Sequence, residues 1–102
     1  MSQFIEIQKK GLSRCTIAAS LDPEKLSLHI SEIAPGTRAH PPHTHNGIEA
    51  FYVLEGSGAI ETEGESIRVE SNQTVILDAN HMHGLVNTGN VPMKYLVIIA
   101  KS

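Results

Sequence analysis

In the segment GTRAHPPHTHNGIEAFYVLEG, residues 36–56, His43-Thr44-His45 is followed four residues on by Glu49. Side chains two apart on extended backbone project to the same side. His43 and His45 on such backbone share a face, and Glu49 has the same parity. Two imidazoles and a carboxylate converging on one face form a ready metal site. A fourth donor must come from elsewhere, and His83 in NHMHGLVN offers one. Three imidazoles and one carboxylate are borderline-to-hard donors. They suit one divalent transition ion (Mn, Fe, Co, Ni or Zn) rather than Cu(I) or calcium. Four protein donors on an ion that accepts six leave two positions for water or substrate.

Other residues flank this set. His81 shares parity with His83 on extended backbone, where it is a candidate catalytic proton carrier, a fifth ligand, or a surface residue. Asn87 is a candidate support for a ligand, with a strand-end cap as the favoured role. Arg38 and His40 precede the Pro41-Pro42 step and are candidate substrate contacts at a pocket mouth, where a guanidinium suits an anion. The exposed-loop role is favoured for both. Phe51, Met93 and Tyr95 are expected to pack the interior and are candidates for the wall of a substrate pocket. Ser, Lys or Cys nucleophile arrangements and phosphate-cradling glycine loops are absent, so catalysis would run through the metal.

These donors need strands to position them. Short β-like runs alternate with turn residues along the whole chain, the pattern of a sandwich or barrel. Runs are expected at Phe4–Ile7, Leu12–Ala19, Leu26–Ile30, Ile48–Glu55, Ala59–Thr62, Ser66–Val69, Thr74–Leu77, His83–Asn87 and Met93–Ala100. Leu26, Leu28 and Ile30 alternate with Ser27, His29 and Ser31, which predicts the polar set, His29 included, on the outside. In Ile48–Glu55 both faces are mostly apolar, so this strand is expected to be central and covered on both sides. Glu63-Gly64 reads as a hairpin turn, Lys94 faces solvent, and Asp22–Lys25 could add one helical turn. Sustained 3.6-residue periodicity is missing, so the fold class is all-β.

Composition bounds the partners. The 102 residues are expected to form one domain, 1–102, with a metal-binding core at about 36–89. The net charge of −3 and the scattered Lys and Arg give no reason to expect nucleic acid. A single Cys15, in an apolar run that suggests packing, excludes an internal disulfide and fits a reducing compartment. The opening MSQFIEIQKKG lacks an apolar core of signal-peptide length, and no run approaches a membrane span. No membrane association and a cytoplasmic setting are expected.

The pattern Gly36, His43-x-His45, three residues, Glu49, six residues, Gly56 resembles the first motif of the cupin superfamily. His83 with Asn87 resembles the second. The first gap is one residue longer than usual, and Asn72, Asp78 and Asn80 stand where the family usually has Gly, Pro and Gly. Asn tolerates positive φ, which lets Asn72 and Asn80 substitute. Asp78 for proline has no sequence-level explanation. The resemblance implies a small β-barrel, a jelly roll, with His43, His45, Glu49 and His83 around one metal. It also implies a metalloenzyme acting on a small oxygen-rich or acidic molecule, by isomerase, lyase, decarboxylase or dioxygenase chemistry. The alternative is a non-catalytic binding or sensing cupin. A homodimer formed through a sheet is expected.

Overall fold

A computed structural model describes residues 2–101. Its strands are β1 (Phe4–Ile7), β2 (Cys15–Ala18), β3 (Leu26–Ile33), β4 (Ile48–Glu55), β5 (Ser57–Thr62), β6 (Glu65–Glu70), β7 (Thr74–Asp78), β8 (His83–Val86) and β9 (Met93–Ala100). All pairings are antiparallel. A four-stranded sheet runs β3-β9-β4-β7, a three-stranded sheet β6-β5-β8, and β1-β2 form a separate hairpin. No helix occurs among the described residues, and Asp22–Lys25 is a single turn in which the Glu24 amide donates to the Asp22 carboxylate.

The two larger sheets face each other across one apolar cluster. Phe51, Val53, Met93 and Val97 come from the four-stranded sheet, Ile60, Val69 and Leu85 from the other. Val53, Ile60 and Met93 are completely buried, each contributing about 1.5–3 kcal/mol by leaving water. In β4 the alternation places Glu49, Phe51 and Val53 inward. Its other face is less covered than the sequence suggests: Ala50 and Tyr52 are half-buried, and Ile48 and Leu54 are exposed.

The sequence reading of β3 is reversed. Register pairs His29 with Val97, Ser31 with Tyr95 and Ile33 with Met93, so His29 and Ser31 lie on the inner face. Leu26 and Leu28 are on the outer face, where the β1-β2 hairpin leaves an apolar groove of about 310 Å³ lined also by Ile7, Ile17 and a half-buried Cys15. Alternation marks two faces, and the hairpin makes the apolar one the outside.

Segment 34–47 joins the sheets without a continuous ladder. It runs beside β8 through reciprocal bonds between His43 and His83 and between Thr37, Gly36 and Asn87. Gly47 then enters β4 with φ of 112°, and any Cβ there would collide with the Ala100 carbonyl. Asn72 has positive φ, 66°, as its substitution for glycine requires. Asn80 does not have it. Its amide and side-chain nitrogens donate to the Asp78 carboxylate at 3.0 and 2.9 Å, closing the turn. These bonds hold the Asp78 carboxyl below its ordinary pKa. Asp78 thus closes by side-chain bonding a turn that proline would stiffen.

Candidate metal centre

His43, His45, Glu49 and His83 each offer one ligand atom, and these atoms all lie within 4.8 Å of one another. The local reason is a β-bridge. His43 N–H donates to the His83 carbonyl at 3.0 Å and His83 N–H to the His43 carbonyl at 3.1 Å. Residues directly opposite in an antiparallel pair project side chains to one face. The two rings accordingly sit 4.6 Å apart. The His45 N–H donates to the Ala79 carbonyl at 2.8 Å, tying the ligand loop to the end of β7. Glu49, two residues after Gly47, enters from β4 and is 4% exposed.

The polar geometry calls for a cation. The His83 ring donates Nδ1–H to the His81 carbonyl at 2.8 Å, which leaves the Nε2 lone pair free in the neutral ring. That Nε2 stands 3.0 Å from Glu49 Oε1, and His45 Nε2 stands 2.5 Å from the same oxygen. Lone pairs of two imidazoles and a carboxylate at these distances repel unless a proton or metal ion lies among them. His43 Nδ1 is buried with no hydrogen-bond partner. Burial first, then the neighbouring His40 and His83, lowers the His43 pKa, which favours the neutral, ligating form. The residues present fit a divalent transition ion.

His43, His45 and Glu49 open on a cavity of about 340 Å³ between residues 39–45 and the inner face of the four-stranded sheet. Phe51 and Tyr95 form part of its wall, and His40 lies at the rim with its ring 4.3 Å from that of His43. The other sequence candidates lie elsewhere. The His81 side chain is 71% exposed and 3.6 Å from Asp78. Its turn points it outward, and only its backbone carbonyl serves the site. Arg38 pairs with Glu61 at 2.6 Å on the outer surface. Met93 is core, packed against Gly58, where a Cβ would meet its sulfur. Asn87 is fully buried and caps the end of β8, donating to the Ile33 and Val91 carbonyls and accepting from Gly89 N–H. The cavity also receives His29 and Ser31, which the sequence reading placed on the outside, and Lys10, which it did not consider. No local signal marks them, because their inward direction depends on the β3–β9 register.

Two facing sheets with this donor cluster between them define a cupin-type jelly roll. The family model described as the cupin domain matches residues 29–99, and the chain belongs to the cupin family. It is 32% identical to auxin-binding protein 1 of Arabidopsis thaliana over 91% of this chain and 52% of that one. It is 29% identical to the oxalate-binding protein of Thermotoga maritima over 56% of this chain and 48% of that one. The chain thus spans about half the length of these curated relatives. A solved structure described as a predicted oxalate decarboxylase from Thermotoga maritima superposes with TM-score 0.71 at 23% identity, covering 98% of this chain and 93% of that one. At that identity the likeness speaks for the fold.

Proposed function

We propose that this chain is a metal-dependent enzyme acting on a small oxygen-rich or acidic molecule, with His43, His45, Glu49 and His83 holding one divalent transition ion. The observation that carries this reading is the convergence of three imidazoles and a buried carboxylate at the end of an internal cavity. A bound ion there supplies Lewis-acid or redox chemistry. Glu49 provides the balancing negative charge, and the His81 carbonyl orients His83. Phe51 and Val97 shape a wall that limits water and ligand size, and His40 stands where an entering molecule passes.

Capture without turnover is a second reading, favoured by relatives named for binding auxin and oxalate. Metal analysis followed by assays with ferrous-, manganous- and zinc-loaded protein separates the two. Turnover abolished by His43→Ala supports the enzyme, whereas saturable ligand binding without turnover supports capture. Absence of oxygen uptake by the ferrous form with any substrate removes the dioxygenase branch.

The assembly we infer is a homodimer formed through the outer face of the four-stranded sheet. Ile48 and Ile76, 56% and 67% exposed on neighbouring strands, favour it. Light scattering on a sizing column is the check, and a monomeric mass at micromolar concentration overturns it.

A further inference from the structure

The cavity has a second polar end that the four metal-site residues do not account for. Chain 9–11 crosses the edge of β3, where the Ile30 amide donates to the Lys10 carbonyl at 2.9 Å. Gly11 permits the approach, with φ of 79° and no room for a Cβ against the Ile30 carbonyl. The crossing brings the Lys10 ammonium over the inner face, and it donates to Ser31 Oγ at 2.8 Å. Ser31 is the register partner of the buried Tyr95, and both side chains line the cavity. Among the described residues no carboxylate lies within ion-pair distance of Lys10. Glu32 reaches the rim, but its register partner is Lys94, on the opposite face from Ser31.

Phe51 separates the two ends, its ring 6.4 Å from that of His83 and 6.2 Å from that of Tyr95. Val97 and Ile99 continue this apolar middle. An ammonium with two remaining N–H donors, beside two hydroxyls, matches the lone pairs of a carboxylate. We propose that Lys10, Ser31 and Tyr95 form a carboxylate-binding end of the cavity. The molecule taken up is then a short organic acid, with one oxygen-bearing head at the four-donor cluster and a carboxylate at Lys10. This rests on the metal-site reading for the first head only.

The test is calorimetric titration of zinc-loaded protein with malonate, succinate, glutarate and adipate, each against its monoamide. Wild type should bind at least one diacid about tenfold or more tightly than the monoamide, the scale of one charge-assisted hydrogen bond. Lys10→Met should erase that preference and Ser31→Ala should weaken it, both with unchanged zinc affinity. Equal binding of diacid and monoamide by wild type, or wild-type preference in Lys10→Met, overturns the proposal. Zinc titration of metal-free protein keeps the two readings apart. If zinc does not bind, the metal reading fails, and the same diacid series on metal-free wild type and Lys10→Met decides the Lys10 end alone.

Discussion

Glu49→Gln separates a metal-holding carboxylate from a structural one, because the two roles predict opposite signs. The substitution keeps volume and removes the charge from a side chain only 4% exposed. In metal-free protein that charge is enclosed among imidazoles, and neutralising it should leave stability unchanged or raise it. With metal bound, removing one partner of a buried charge contact costs about 2–5 kcal/mol. At roughly 1.4 kcal/mol per decade, the zinc Kd should rise by about 30-fold or more. Wild type at a hundredfold excess of zinc over its Kd gains about 2.7 kcal/mol. For a domain near 100 residues this raises Tm by roughly 10–20 °C. At the same zinc concentration Glu49→Gln should gain less than about 1 kcal/mol. The assay is urea and thermal unfolding in chelator and in zinc. A loss of about 2 kcal/mol in chelator with the full zinc gain retained would refute the reasoning and make Glu49 structural.

Three further outcomes follow from the packing. Asn87→Ala should cost about 3–5 kcal/mol in urea unfolding, since two carbonyls and one amide lose buried partners; a cost under about 1 kcal/mol contradicts the cap. Gly47→Ala should destabilise by more than about 1 kcal/mol and weaken zinc binding, because Ala disfavours positive φ and its Cβ meets the Ala100 carbonyl beside the ligand loop; unchanged zinc affinity contradicts the coupling. Burial first, and then Lys10, holds the His29 pKa below 6.5, so the folded chain takes up that proton less readily than the unfolded chain. Stability should therefore fall as pH drops below about 6.5, until the lower folded value is passed. In chelator, His29→Gln should show a shallower decline between about pH 7 and 5, and identical slopes contradict the assignment.

The all-β class and the shared face of the donors were legible in the residues because both depend on local regularities, while the jelly roll was implied by the resemblance to the cupin motifs. Alternation with a period of two fixes which side chains share a face, and glycines at sharp turns fix where strands stop. His43, His45 and Glu49 lie within seven residues of each other, and the reciprocal bridge that brings His83 to them completes a motif already visible in the spacing. The even spacing that linked His81 to His83 failed as a guide because the Asp78–Asn80 turn interrupts extended backbone just before them.

For β3, only the tertiary structure decided which face became the inside. β3 shows a clean alternation, yet its polar row lines the cavity because the hairpin lies on its apolar row and β9 pairs with it in that register. Met93 and Tyr95 both point inward, but Met93 meets Gly58 in the core whereas Tyr95 reaches the cavity. Lys10 arrives there through a chain crossing that no local period encodes. The chemistry of a side chain is written at its own position, whereas its surroundings depend on partners tens of residues away, chosen by the packing of the whole chain.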